Sequence, residues 1–144
     1  GEYVAAEKIE MVAARCPLIA QVYIYGDSLQ SYLVAAVVPD PEEAPKWTKA
    51  QGLGELSMEQ LTTGEPGERL RVAIMGQMKA ASADAKLAGF EIAKQILLDP
   101  EMWSVENNLL TPTFKMKRVE LKKRYKEQFD ALYAQGPPAT PSKL

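Results

Sequence analysis

The chain has 144 residues, of which 47% are hydrophobic and 25% are charged, so its size and composition fit one globular domain with a core of its own. The net charge of −2 provides no overall basic field for nucleic acid, and no apolar run is long enough to span a bilayer. A single cysteine, Cys16, and no histidine exclude an internal disulfide and argue against a zinc site. We therefore expect no metal site, no nucleic-acid partner and no transmembrane segment, and we expect Cys16 to be a small buried residue.

The first half of the chain predicts helices and strands in alternation. Residues 1–4 favour an extended strand, and residues 5–15 repeat apolar side chains at helical spacing. Residues 18–25 and 32–38 predict an antiparallel hairpin, with one buried face on the first strand and both faces covered on the second. A helix is expected to begin at Asp40 as N-cap and to end before Gly52. Ser57 and Gln60 match a capping box for a further short helix.

The second half predicts a loop, two long helices and a third strand. The loop covers residues 64–67 and the first helix residues 68–86, where Gly76 either weakens the helix or admits a close neighbour. Residues 92–98 predict a strand, Asn108 a turn with positive φ, and residues 118–133 the last helix. The expected fold is an α+β domain: a small sheet of about three strands flanked by helices.

Residues 109–118, with the sequence Leu-Leu-Thr-Pro-Thr-Phe-Lys-Met-Lys-Arg, connect the third strand region to the last helix. Pro112 favours an extended or turned backbone, and we expect Phe114 to anchor the loop by burying its ring. Lys115 would then be a cation on an ordered loop, able to meet a carboxylate or a phosphate. On this segment alone, a solvated lysine before a helix is the more common outcome.

Four segments, in their order along the chain, resemble motifs of the adenylate-forming enzymes in the version of the long-chain fatty acyl-CoA synthetases. They are residues 1–10, 20–31, 103–110 and 109–118. Other members of the family end the last motif in Gly-Lys, whereas the long-chain branch has Phe-Lys, as at Phe114 and Lys115. The resemblance covers nearly the whole chain and implies that residues 1–135 are the C-terminal lid domain, separated from its enzyme just after the interdomain hinge.

The resemblance also implies an activity and roles for particular residues. The full-length enzyme would be an AMP-forming, long-chain fatty acid:CoA ligase, which first makes an acyl-adenylate and then the CoA thioester. Lys115 would be the catalytic lysine of adenylation, and the domain would rotate between the two steps. After rotation, Gly1, Glu2 and Tyr3 would line the tunnel for the pantetheine of CoA. Arg118 would brace the lysine loop, contact a phosphate or meet the N-terminal domain.

The same resemblance implies substrates and partners that lie mostly outside this chain. ATP, CoA and Mg²⁺ would serve the full-length enzyme, with none of them tightly bound to this domain alone. The fatty acid, ATP and CoA would be held mainly by an N-terminal adenylation domain, which is the expected partner. We therefore expect this domain to be inactive by itself.

Other charged residues have plainer interpretations. A solvated helix face is the favoured interpretation of the basic residues near the last helix, with CoA phosphates or an anionic membrane as the alternative. These residues are Lys117, Arg118, Lys122, Lys123, Arg124 and Lys126. Glu10 and Glu106 are interpreted as structural, the first on the opening helix and the second in a loop, because nothing in the sequence places them together.

Residues 136–144 are expected to form a flexible, proline-rich tail. Its last three residues, Ser142, Lys143 and Leu144, match the tripeptide that directs proteins into peroxisomes through an import receptor. Agreement between this tripeptide and a fatty-acid-activating family predicts a peroxisomal location.

Two alternatives remain open from the sequence. The chain could be a free-standing, non-catalytic α+β module that binds a protein or an acyl ligand, since composition and periodicity fit this equally well. It could also belong to a ligase of the same superfamily that uses another carboxylate substrate. The order of the motifs argues against the first alternative, and the Phe-Lys pair argues against the second.

Overall fold

The computed structural model of the protein describes residues 5–136. Within this range the elements are α1 (Ala6–Ala13), β1 (Ile19–Gly26), β2 (Leu33–Pro39), α2 (Glu43–Ala50), α3 (Met58–Leu61), α4 (Gly64–Asp84), a 3-10 turn (Gly89–Glu91), β3 (Ala93–Leu98) and α5 (Arg118–Gln135). The expected α+β fold, with a small three-stranded sheet flanked by helices, is confirmed. No helix in this range is both long and apolar enough to cross a membrane.

Strand β2 lies at the centre of the sheet. It pairs antiparallel with β1, where Ile24 faces Ala35, and parallel with β3, where Ala35 faces Ile96. Every residue of β2 is buried, which confirms that both of its faces are covered. The parallel pairing needs a long crossover between β2 and β3, and α2, α3 and α4 supply it.

Helices cover both faces of this sheet. Helices α1 and α4 contribute to one core, together with Val22 and Ile24 of β1. Helix α5 covers the opposite face with Leu121, Tyr125 and Phe129, all three at most 1% exposed. The sheet is therefore the middle layer of three, and α5 is held rigidly on it.

Strand β1 differs from the prediction of a single buried face. Alternation along the strand leaves Tyr23 and Tyr25 on the face opposite to Val22 and Ile24, which the prediction of one buried face gives to solvent, yet both tyrosines belong to the core under α5. The ring of Tyr25 stacks on the ring of Phe129 with 4.9 Å between centroids. The prediction was wrong because the phenolic hydroxyl suggested a polar residue, whereas a tyrosine ring carries enough apolar area to build a core.

Helix α4 begins four residues before its predicted start. The sequence predicts a loop over residues 64–67, but these residues form the first turn of the helix. Pro66 is compatible with this turn because its missing N–H would have no helical partner there. Space requires glycine at position 67, since a Cβ on Gly67 would lie 2.5 Å from the carbonyl carbon of Thr62.

One of the two predicted helix caps is confirmed, and the other lies before the observed start of its helix, where Glu42 occupies the N-cap position. The Ser57 hydroxyl accepts the Gln60 N–H at 3.1 Å, and the Ser57 N–H donates to the Gln60 side chain at 2.9 Å, which completes the capping box. One carboxylate oxygen of Asp40 accepts the N–H groups of Glu42 and Glu43 at 2.8 and 2.9 Å. Asp40 thus caps the chain entering α2, although the helix itself starts at Glu43.

Candidate functional site: the Lys115 hairpin

Lys115 lies on a tight hairpin between β3 and α5. Leu110 and Met116 pair across the hairpin as an isolated antiparallel bridge. Inside that bridge, the Thr111 N–H donates to the Lys115 carbonyl at 2.7 Å, and the Phe114 N–H donates to the Thr111 carbonyl at 2.7 Å. The segment that carries the lysine is therefore an ordered turn.

The side chain of Thr111 adds a second restraint on the backbone of the lysine. Its hydroxyl oxygen accepts the N–H of Lys115 at 3.1 Å and lies 3.1 Å from the hydroxyl of Thr113. These contacts fix the Cα of Lys115 while they leave its side chain free to extend.

The base of the hairpin is tied to the domain core. Leu109 and Leu110 are 4% and 9% exposed and join the core under α5. The Lys117 N–H donates to the Leu109 carbonyl at 2.9 Å, and the Lys117 ammonium donates to the side-chain oxygen of Asn108 at 2.5 Å. Asn108 has a φ of 68°, which confirms the prediction of a positive φ at this turn.

The prediction that Phe114 anchors the hairpin by burying its ring is wrong. Phe114 is 74% exposed, and its φ of 66° lies in the left-handed region. Because hydrogen bonds from Thr111 close the turn so tightly, residue 114 sits at the tip, away from the core. Leu109 and Leu110 take over the anchoring role that the sequence assigned to the ring.

The Lys115 side chain is exposed and has no ion pair or side-chain hydrogen bond within residues 5–136. An ammonium group on an ordered backbone, with no carboxylate partner in the described domain, can bind an anionic group by charge-assisted hydrogen bonds. The geometry therefore suits a carboxylate or a phosphate that approaches the tip of the hairpin from outside this domain.

Arg118 braces the end of the hairpin against α1. Its guanidinium forms a two-pronged ion pair with Glu10: one nitrogen lies 3.0 Å from one carboxylate oxygen, and a second nitrogen donates to the other oxygen. The Glu10 carboxylate also accepts the N–H of Ile24 at 2.8 Å. Arg118 is the first residue of α5, so this pair links α1, β1 and the hairpin. This contact fits the bracing role considered for Arg118, while a contact with a phosphate or with the N-terminal domain stays a prediction.

The brace also shapes the electrostatics of its surroundings. Hydrogen bonding to Glu10 raises the pKa of Arg118. The guanidinium carbon lies 5.8 Å from the centre of the Tyr23 ring, and burial raises the pKa of that tyrosine to about 12. Sequence reasoning missed that Glu10 is buried and paired: in the structure Glu10 is 6% exposed, and its partner lies far away along the chain.

A buried polar network ties the segment that enters the hairpin to the helix that leaves it. The indole N–H of Trp103 donates to the Tyr125 hydroxyl at 2.7 Å, and that hydroxyl donates to the Asp99 carboxylate at 2.5 Å. Arg124 donates to Asp99 at 3.1 Å and to Glu101 at 2.9 Å. Both flanks of the hairpin are therefore fixed to α5.

The basic residues around α5 do not form one free cationic patch, because most of them have partners. Arg118 and Arg124 pair with carboxylates, as above, and Lys126 contacts Asp130 at 2.8 Å. The ammonium group of Lys122 lies 5.8 Å from the centre of the Tyr25 ring. The interpretation of a solvated, internally paired helix face fits these contacts.

Glu106, expected to help fix its loop, is exposed, and the loop is closed by other side chains.

Two groups of expected functional residues lie outside the described residues. They are Gly1, Glu2 and Tyr3 at the start of the chain, and Ser142, Lys143 and Leu144 at its end.

No protein-family model matches the chain. Among solved structures, the adenylation domain of a carboxylate reductase from Mycobacterium chelonae is similar, with a TM-score of 0.78 and 31% identity over 93% of this chain and 18% of that one. The A-PCP didomain of a carboxylic acid reductase from Segniliparus rugosus, in complex with AMP, gives a TM-score of 0.75 and 30% identity over 93% of this chain and 16% of that one. The fold is that of the C-terminal domain of adenylate-forming enzymes.

Curated relatives indicate which of the adenylate-forming enzymes the chain is similar to. Fatty acyl-CoA synthetase A of Dictyostelium discoideum is 47% identical over 94% of this chain and 20% of its own length. Human long-chain-fatty-acid–CoA ligase 6 is 43% identical over 93% of this chain and 19% of its own length. The peroxisomal long chain acyl-CoA synthetase 7 of Arabidopsis thaliana is 42% identical, over 94% and 19%.

The chain thus spans about a fifth of the length of these relatives. Over more than nine-tenths of its length the chain is similar to long-chain fatty acyl-CoA synthetases, and it matches the C-terminal region of these enzymes. The resemblance on which the sequence interpretation rested is therefore confirmed at the level of the family and the fold.

Proposed function

We propose that this chain is the C-terminal lid domain of an ATP-dependent long-chain fatty acid:CoA ligase, and that Lys115 is its adenylation lysine. The observation that carries the proposal is the Lys115 ammonium, which extends from a hydrogen-bonded hairpin with no partner inside residues 5–136. The names of the relatives, which are fatty acyl-CoA synthetases and ligases, support the substrate class.

In the first half-reaction, a carboxylate oxygen of the fatty acid forms a bond to the α-phosphorus of ATP. The bond from that phosphorus to the bridging oxygen breaks, and pyrophosphate leaves with the electron pair. Negative charge from the carboxylate and the phosphates crowds together in this transition state. A fixed ammonium group offsets the repulsion and orients the carboxylate, which is the role we give to Lys115.

In the second half-reaction, the CoA sulfur forms a bond to the acyl carbon and AMP leaves. We propose that the domain rotates between the two steps, so that Gly1, Glu2 and Tyr3 come to line the pantetheine tunnel. A tunnel of this kind needs backbone that approaches the ligand closely, which suits a glycine.

The remaining ligands belong to the proposed partner, the N-terminal adenylation domain of the same enzyme. Among residues 5–136, no group of three His, Cys, Asp or Glu side chains could hold a metal ion. The Mg²⁺ of the proposed enzyme would therefore be held mainly by the N-terminal domain and the phosphates of ATP. ATP, CoA and the fatty acid would contact this domain mainly through the hairpin and the start of the chain, so we propose that the domain is inactive alone.

We also propose a peroxisomal location for the enzyme. The tripeptide Ser142, Lys143 and Leu144 matches an import signal, and one relative from Arabidopsis thaliana is named as peroxisomal. The import receptor would be the partner of this tripeptide.

The test uses Lys115→Ala in the full-length protein, with the half-reactions measured separately. One assay follows pyrophosphate release from fatty acid and ATP, and the other follows thioester formation from pre-made acyl-adenylate and CoA. Removing a charge that acts only in the adenylation transition state should slow the first by about 100-fold to 1,000-fold and leave the second within about threefold.

Lys123→Ala is the matched control, because Lys123 is an exposed lysine on α5 whose pair with Glu120 spans 3.9 Å. It should leave both half-reactions unchanged. If Lys115→Ala kept the full rate of adenylate formation, Lys115 would be an ordinary surface lysine and the site assignment would be wrong.

A further inference from the structure

Phe114 combines two properties that are unfavourable in the described domain, where the turn closed by Thr111 holds it at the tip of the hairpin. Its φ of 66° lies in the left-handed region, which is costly for a bulky L-residue, and its ring is 74% exposed to water. Asn108 also has a positive φ, but asparagine tolerates it and here accepts a hydrogen bond from Lys117. Lys86 has one too, where the chain turns off the end of α4. Phe114, in contrast, carries a bulky ring at its positive φ, and this ring belongs to neither hydrophobic core of the described domain.

Backbone strain at a single residue persists where function maintains it. The strain at Phe114 comes with a large apolar side chain that stands directly beside Lys115. Consecutive Cα atoms are about 3.8 Å apart, and both side chains are exposed, so a surface that receives the lysine lies within reach of the ring. The chain spans about a fifth of its relatives' length, and the surface that would receive the ring lies in the remainder.

We propose that Phe114 is a positioning residue whose ring docks on an apolar surface of the N-terminal adenylation domain when Lys115 enters the active site. This inference rests on the proposed function. Docking would bury the ring, hold the Lys115 ammonium at its target and keep water from the entrance. In the arrangement for thioester formation the ring would be released, because the hairpin would then leave the site.

The test measures both half-reactions in the full-length protein carrying Phe114→Gly, Phe114→Asn or Phe114→Tyr. Glycine and asparagine accept the left-handed backbone but lack the ring. Losing the burial of a phenylalanine ring should slow adenylate formation by about 10-fold to 100-fold in both variants. Thioester formation from pre-made adenylate should stay within about threefold of the parent, and Phe114→Tyr should restore adenylation to that range.

The control is Lys86→Gly, which relieves the same kind of backbone strain at the distant end of α4 and should change neither half-reaction. Thermal melts of the 144-residue chain should show Phe114→Gly at least as stable as the parent, so misfolding would not explain a loss. If Phe114→Asn formed the adenylate at the rate of the parent, the ring would be dispensable and the inference would be overturned. Measuring Lys115→Ala in the same series separates the two proposals. If Lys115→Ala slows adenylate formation and the Phe114 variants do not, the docking role of Phe114 is wrong while the role of Lys115 stands.

Discussion

Replacing Arg118 by methionine would break the brace between α5 and α1, and the structure sets the size of the effect. Removing one partner of a fully buried ion pair costs about 3–5 kcal/mol, whereas an exposed pair is worth about 1 kcal/mol or less. Here the side chain of Glu10 is 7% exposed and that of Arg118 is 35% exposed, so the pair lies between these limits. After the substitution, the Glu10 carboxylate still accepts the hydrogen bond from the Ile24 N–H, which makes the loss of stability smaller. We expect Arg118→Met to lower the free energy of unfolding by about 2–3 kcal/mol.

The assay is urea denaturation of the 144-residue chain, in a cycle with Glu10→Gln. Glu10→Gln keeps an acceptor for Ile24 and frees Arg118 to meet water, so it should cost about 1–2 kcal/mol. The double variant should lose less than the sum of the two single losses, since no buried charge is left unpaired. Lys123→Met on the same helix should change stability by no more than about 0.5 kcal/mol. An Arg118→Met chain as stable as the parent would refute the brace.

Two further predictions concern the glycines of α4 and the end of the chain. Gly76→Ala should raise the free energy of unfolding by about 0.5–1 kcal/mol, because a Cβ at Gly76 meets nothing within 4 Å, whereas Gly67→Ala should lower it because its Cβ would strike the backbone of Thr62. Urea denaturation of both variants checks this pair, and shifts in the same direction would contradict it. A fluorescent protein ending in residues 136–144 should enter peroxisomes in cells, and deletion of the last three residues should leave it in the cytosol. Unchanged distribution after that deletion would exclude the import signal.

Features that depend on near neighbours in the sequence were predictable. The Ser57–Gln60 capping box needs only two residues three apart, and the positive φ of Asn108 follows from the properties of one side chain in a turn. The burial of β2 on both faces follows from an almost unbroken apolar run. In each case the physical cause lies within a few residues, so the feature can be predicted from a short stretch of sequence.

Features that depend on distant parts of the chain were not predictable from one sequence. Glu10 and Arg118 are 108 positions apart, and only the packing of α1 and α5 on the two faces of one sheet brings them together. The burial of Tyr23 depends on α5 covering the sheet, which its own polarity does not reveal. The exposure of Phe114 follows from a turn that hydrogen bonds of Thr111 close, and an apolar side chain gives no hint of it.

The way the Lys115 hairpin is held bears on the role that we propose for Lys115 in adenylation. Its base is fixed by the buried Leu109 and Leu110 and by the Lys117–Asn108 contact, and its exit is fixed by the Arg118–Glu10 pair. Order at the tip is therefore established when the domain folds and need not be regained at each turnover, which lowers the entropic cost of placing the ammonium group.

Because the hairpin is fixed to the domain at both ends, we expect it to move together with the domain as one body. The brace that holds Arg118 also holds α1, and α1 begins directly after the residues proposed to line the pantetheine tunnel. The hairpin and α1 are therefore parts of one braced unit. A rotation of the whole domain can move both without refolding either one, whereas independent movement of the hairpin would have to break the brace and expose the charge of Glu10.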